Sequence, residues 1–254
     1  MDSPNITICI HAAGNHLAEF RRCLESVLAC PPDSPYELRL GFQHAPKTLH
    51  YAIGRLCPDG TRIEREQLPE QTERFAWAVP GGPSVCAWHS SCPNRLCDGT
   101  LLAVVFQDTP IRSEYVVWLD EEVCVSANWW RELAQLLTRG IDYLGHLCWT
   151  EYSTAQAEML QSQSWYTGVP FLKRDNRVGG LFMAGFFAAR AERLLEVQFG
   201  NLAEAWISGR AKRYAANIVI GEIARQRGWS QVHYTDGIQL PPHLSLGSPK
   251  ASAE

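Results

Sequence analysis

No apolar run in the 254-residue sequence approaches the ~18 residues that a membrane-spanning helix needs, so no membrane span is expected. The opening stretch, MDSPNITICIHAAGNH, has no basic region leading into a long apolar core, so no signal peptide is expected and the protein reads as cytoplasmic. No internal repeat and no long linker divide the chain. Lysine is scarce, with arginine supplying 19 of the 23 basic residues, a bias that suits bidentate contacts with phosphate or carboxylate and that GC-rich coding also produces. No segment concentrates positive charge and the net charge is −4, which does not announce a nucleic-acid surface. Arg174, Arg177, Arg190 and Arg193 are the one local candidate patch. A disulfide framework is not expected either, because the 9 cysteines are odd in number and scattered through a long chain.

With 46% hydrophobic and 20% charged residues, the composition is that of an ordinary globular protein. Residues 5–11 (NITICIH) form a short β-rich run that ends at Ala12, Ala13 and Gly14. Leu17, Phe20, Leu24, Val27 and Leu28 then recur at helical spacing until Pro31. A second strand is expected over 36–42 and a second helix over 47–56, with a weaker strand over 62–67. A helix is expected around Cys86, His89 and Cys92, and a further apolar stretch over 101–106. Residues 115–120 (YVVWLD) have the length and apolarity of a buried central strand. Asn128 is placed to cap a helix carrying Trp129, Trp130, Leu133, Leu136 and Leu137. Another apolar run covers 142–149, a Gly-rich apolar segment 179–190, and a helical pattern 214–227 with Gly228 at its stop. The alternation of strands and helices predicts an α/β domain with a parallel sheet.

Asp120, Glu121 and Glu122 follow the buried strand directly. Carboxylates at alternate positions, Asp120 and Glu122, converge at the carboxy-terminal edge of the sheet, where open α/β sheets bind ligands. Hard oxygen donors beside a cleft suit Mg²⁺ or Mn²⁺, which neutralise a diphosphate leaving group. The plain alternative is a solvated acidic turn.

The order of strand, Gly turn and helix at the start, YVVWLDEEVCVSANWWREL in the middle, then VGGLFMAGFFAAR and NIVIGEIARQRGW, resembles the GT-A glycosyltransferases, particularly small members related to family 2. The resemblance spans about residues 5–240. It implies a mixed, mostly parallel Rossmann-like sheet flanked by helices in one domain (1–240), with a nucleotide-sugar-binding half to about residue 125, an acceptor half over 126–240 and a flexible tail over 241–254. It implies that Asp120 and Glu122 hold the metal and diphosphate and that Glu121 lies near the ribose or sugar. It also implies that the Ala12-Ala13-Gly14-Asn15 turn meets the nucleotide, helped by backbone N–H groups. His233 or His243 is the expected third metal ligand. The second strand ends in Gly41-Phe42-Gln43-His44 rather than in the Asp with which many relatives read the base. Ala216-Asn217 stands where an inverting enzyme carries acids, so either the base lies elsewhere, with Asp175, Glu222 and Asp236 as candidates, or the transfer is a retaining one that needs no such base, or the protein only binds.

The implied activity is transfer of a sugar from a nucleotide-diphosphate sugar, with Mn²⁺ or Mg²⁺, to a hydroxyl acceptor. That acceptor is a glycan, small molecule, peptide or, as in phages, a hydroxymethylated DNA base; no membrane is involved. The alternative is a catalytically inactive nucleotide-sugar or protein-binding module. A nucleotidyltransferase fits less well, since no Gly-rich, Lys/Arg-containing phosphate loop follows the first strand. Cys86, His89, Cys92 and Cys97 make a zinc set by composition, with buried thiols as the alternative. Trp129, Trp130, Trp149, Trp165 and Tyr166 offer aromatic platforms, and residues 165–170 read as a mobile loop over the cleft.

Overall fold

The computed structural model describes residues 6–14, 16–68, 71–91, 111–197 and 215–245. In chain order the elements are β1 (Ile6–Ala13), α1 (Leu17–Ala29), β2 (Tyr36–Gln43), α2 (Pro46–Leu56), β3 (Glu64–Leu68), β4 (Thr72–Ala78), β5 (Ser84–Ser90), β6 (Tyr115–Asp120) and β7 (Cys124–Val125). They continue with α3 (Trp129–Thr138), β8 (Tyr143–Glu151), α4 (Thr154–Gln161), β9 (Leu172–Arg174), β10 (Arg177–Arg190), α5 (Ala191–Glu196), α6 (Ala215–Gln226), β11 (Gln231–His233), β12 (Ile238–Gln239) and α7 (Pro242–Ser245).

One mixed sheet organises the chain in the order β11-β8-β10-β6-β1-β2-β5-β4-β3, with β9 paired to β10. Its centre, β6-β1-β2-β5, is parallel, so these strands all end at one edge, at Asp120, Ala13, Gln43 and Ser90. Antiparallel β10 and the β3–β4 hairpin flank that centre. A small second sheet pairs β12 with β7.

Both faces are covered, which is why β6 is buried and apolar up to its last residue, Asp120. On one face Ile6, Ile8 and Ile10 meet α1 through Phe20, Cys23, Leu24 and Val27, a set spaced at i, i+3, i+4 and i+7. On the other face Val116, Trp118, Met183 and Phe187 meet Val219, Ile220 and Ile223 of α6.

The helix expected around Cys86 and His89 is strand β5 instead. Its residues alternate in burial and pair with β2 and β4 on either side. A spacing of three, helical by sequence, therefore puts Cys86 and His89 on opposite faces of a strand, and the two cannot bind one zinc ion. Cys92, Cys97 and the 101–106 stretch lie outside the described residues. Asn128 does precede α3, but with φ +68° and no side-chain cap: it serves the left-handed turn, which Asn tolerates, rather than bonding the helix. Within the segment expected as a tail, Pro242–Ser245 form the helical turn α7.

Candidate active site

Parallel pairing sets His11 of β1 opposite Asp120 of β6. The chain turns immediately after Asp120, where the Val123 N–H donates to the Asp120 carbonyl at 2.9 Å and the Glu121 N–H to the His11 carbonyl at 3.0 Å. Three consecutive acids consequently take three environments. The Asp120 carboxylate accepts the Trp118 indole N–H at 3.0 Å. Glu121 is buried, 2% exposed, and points back under β1. Glu122 faces α7, where His243 Nε2 lies 3.3 Å from its Oε2.

Glu121 does not point outward toward a sugar. One of its oxygens accepts the Ala13 N–H at 3.2 Å and the other lies 3.5 Å from His16 Nδ1. It latches the end of β1 and the start of α1 to the acidic strand end. The turn expected to greet a nucleotide with backbone N–H groups has therefore spent two of them, since the Gly14 N–H donates to the Gln43 carbonyl at 2.8 Å. Gly14 takes φ +77°, which explains the glycine. Asn15 lies outside the described residues, and Ala12 is buried in the core.

His243 reaches the acids because of a second glycine. Gly185 sits at the irregularity of β10 between Met183 and Phe187, with φ +72°. A Cβ there would come 2.7 Å from Leu244 Cδ1 and 3.4 Å from Val123 Cγ2, so the missing side chain is the seat of α7 beside the acidic turn. His233, in contrast, is not brought to the acids. It pairs with Gly145 at the far end of the sheet, beyond β8 and β10, where its Nδ1 accepts the Leu147 N–H at 3.1 Å.

The three candidate bases part company. Glu222 is fully buried on α6: Tyr152 donates to its Oε1 at 2.8 Å, and Arg225 donates to its Oε2 through Nε at 2.9 Å and a terminal nitrogen at 2.6 Å. Its oxygens are committed to a buried ion pair and a tyrosine hydrogen bond. Asp175, with φ +50°, sits with Asn176 at the exposed tip of the β9–β10 hairpin, far along β10 from the Phe186–Leu119 pairing. Asp236 is exposed beside Gly237, whose carbonyl accepts the Ser126 N–H at 2.9 Å, so it lies on the loop leading into β12 and the acidic turn's own β7.

The 165–170 loop is hydrogen-bonded to α6. The Thr167 and Val169 N–H groups donate to Gln226 Oε1 at 3.0 and 3.2 Å, and Arg225 donates to the Pro170 and Val169 carbonyls. Trp129 and Trp130 are core residues, and the Trp129 indole donates to the Cys30 carbonyl at 2.8 Å. Arg177 and Arg190 stand at opposite ends of β10 and are paired with Glu151 and Glu192, while Arg193 bonds Asp142 and Glu196, so no joint basic patch forms. Burial pushes the Cys9 thiol up to about 12, an effect that Glu37 adds to and Arg39 offsets, and burial also raises Cys23 and Cys148, which leaves these as inert thiols.

Among the described residues, no three His, Cys, Asp or Glu side chains form a ready-made cation cage. Mg²⁺ and Mn²⁺ do not require one, because they bind through one or two carboxylates and take their other ligands from water and substrate phosphates. Two strand-end carboxylates with an imidazole beside one of them fit that chemistry.

No family model matches the sequence, and no curated protein matches it. Among solved structures, the mannosyltransferase PcManGT from Pyrobaculum calidifontis, in complex with GDP-Man and Mn²⁺, is similar at 12% identity and a TM-score of 0.51 over 99% of this chain and 59% of that one. S. aureus TarS 1-349 is similar at 10% identity and a TM-score of 0.45 over 76% of this chain and 48% of that one. The chain thus spans about 59% of the mannosyltransferase's length. The likeness shows the fold alone: a GT-A-type fold, a mixed, mostly parallel central sheet flanked by helices in a single α/β domain.

Proposed function

We propose that the chain is a glycosyltransferase that moves a sugar from a nucleoside-diphosphate sugar to a hydroxyl acceptor. The observation that carries this reading is the place of Asp120 at the carboxy-terminal end of central β6, with Glu122 in the turn that follows and His243 Nε2 3.3 Å from the Glu122 carboxylate. Two distant parts of the chain meet there: Leu244 packs beside Gly185 and Val123, while its neighbour His243 stays exposed at the acidic turn.

In this reading Asp120 and Glu122 hold Mn²⁺ or Mg²⁺, and His243 completes or steadies the set. The cation supplies charge neutralisation for the departing diphosphate. The anomeric carbon loses its bond to the phosphate oxygen and gains one to the acceptor oxygen, whose proton leaves to a base. Of the three candidates Asp236 keeps an exposed carboxylate on a loop joined to the acidic turn, and it is the base we assign. The Glu121 latch holds the start of α1 against this site.

A binding module without turnover is the second reading. It is favoured by Asn217, a buried amide where an acid would serve as base. Both readings are tested by thermal shift against UDP-, GDP-, CMP- and dTDP-sugars with and without Mn²⁺. A metal-dependent shift with one donor, lost in the Asp120→Asn/Glu122→Gln double variant, is expected. No shift with any donor in folded protein overturns donor binding altogether.

A further inference from the structure

We infer that Trp118 is a positioning residue that aims the Asp120 carboxylate at the cation, through an indole N–H locked in place by a row of stacked rings. The inference rests on the glycosyltransferase reading, in which Asp120 is a cation ligand.

Trp118 and Asp120 are two apart on β6 and so share a face. The indole Nε1–H donates to Asp120 Oδ1 at 3.0 Å. A hydrogen bond to one carboxylate oxygen selects the rotamer of the whole group, and with it the direction in which its remaining lone pairs face.

That donor is itself held fixed. Trp118 is 4% exposed. On one side its ring stacks on His11 of β1 at 5.7 Å, and on the other it lies parallel to Phe187 of β10 at 6.0 Å with planes 3° apart. Phe187 meets Tyr143 of β8 at 5.5 Å, and Tyr143 meets Trp229, past the end of α6, at 6.5 Å. Five rings thus cross one face of the sheet from β1 to β8 and end on the turn after α6. Register aligns the centre of this row, since Phe187 pairs directly with Trp118. An indole packed on both sides has no room to swing, so its N–H arrives at Asp120 already oriented and no ordering cost falls on cation binding. An ordinary core position would be served by any large apolar ring. Here an aliphatic or phenyl side chain would fill the space and remove the hydrogen bond that fixes Asp120 Oδ1.

The test measures Mn²⁺ binding directly, by electron paramagnetic resonance of the unbound ion, with UDP or GDP present as the second ligand. Trp118→Phe keeps a ring between His11 and Phe187 and removes the N–H. Biosynthetic replacement of Trp118 by benzothienylalanine keeps the full bicyclic shape and removes the same donor, so the question survives if the Phe variant does not fold. Either change should weaken Mn²⁺ binding about 10- to 100-fold, the usual cost of losing a hydrogen bond behind a metal ligand. In an Asp120→Ala background the same change should add almost nothing, because the acceptor is already gone. A merely structural tryptophan would lower the melting temperature and leave Mn²⁺ affinity as in the wild type, and that result, with wild-type binding intact, overturns this inference alone. Wild-type protein that binds no Mn²⁺ with either nucleotide overturns the glycosyltransferase reading and this inference with it.

Discussion

His243 Nε2 stands 3.3 Å from Glu122 Oε2, and the contact exists because Gly185 leaves room for Leu244 between Val123 and Leu240. The imidazole is half exposed, so the pair contributes little to stability and its use is at the site. His243→Ala should therefore leave the melting temperature nearly unchanged while weakening Mn²⁺ binding about tenfold, within the range for groups that support a metal ligand. Calorimetric titration of Mn²⁺ in the presence of a nucleoside diphosphate checks both halves.

Gly185→Ala tests the same contact from below. The new methyl group meets Leu244 Cδ1 at 2.7 Å and sits on a backbone at φ +72°, so Leu244 must turn aside and its hold on α7 is loosened. Weaker Mn²⁺ binding comparable to that of His243→Ala, with a stability loss of about 1–2 kcal/mol for the strained backbone, is expected. Unchanged Mn²⁺ affinity would show that the seat is not what holds His243.

Glu121 carries a stability prediction rather than a catalytic one. Its buried carboxylate satisfies the Ala13 N–H, and truncation leaves that donor without a partner. Glu121→Ala should cost about 1–3 kcal/mol in urea unfolding, whereas Glu121→Gln, which keeps an acceptor oxygen, should cost less. Equal stability of all three proteins would contradict the latch.

The Glu222 ion pair makes a similar claim on the other face. Removing one partner of a buried pair costs about 3–5 kcal/mol, so Glu222→Ala should be strongly destabilised. A Glu222→Ala protein that melts like the wild type but has lost all transfer would restore Glu222 as a base.

His146 gives the pH dependence. Burial holds its imidazole below the ordinary histidine value, and the neighbouring His233 lowers it further, against a hydrogen bond to the Ala184 backbone. Because the unfolded chain then binds the proton more readily, stability is complete above the ordinary histidine pKa of about 6.5 and falls as the pH drops from there through the depressed folded value. Urea unfolding of wild type and His146→Phe between neutral and mildly acidic pH should show this slope in the wild type and its reduction in the variant.

The parts of this molecule that were legible in the sequence are those governed by local pattern. Phe20, Leu24 and Val27 announce α1 by spacing alone, and YVVWL announces a doubly covered strand because five consecutive buried residues leave no other option. The acidic turn after Asp120 was legible for the same reason. What sequence could not supply is which distant groups meet. Cys86 and His89 mimic a helical face, yet pairing with β2 and β4 makes them strand residues, and pairing is a tertiary decision. Glu222 resembles a free carboxylate until Tyr152 and Arg225 are seen to occupy it. The choice of His243 over His233 depends on where the chain runs after α6. The one local hint was Gly185, flanked by Ala184 and Phe186 in a run otherwise bulky on that side. The indole of Trp118 was legible as core, but its N–H on Asp120 was not.

The most direct test of the central claim is the release of nucleoside diphosphate from a nucleotide sugar in the presence of Mn²⁺, followed over hours with water as a slow acceptor. Wild-type protein should release the diphosphate of one donor at a rate that EDTA abolishes, and the Asp120→Asn/Glu122→Gln variant should release none above background. Release at the wild-type rate by the double variant, or none from any donor by wild-type protein that binds one, would contradict the account.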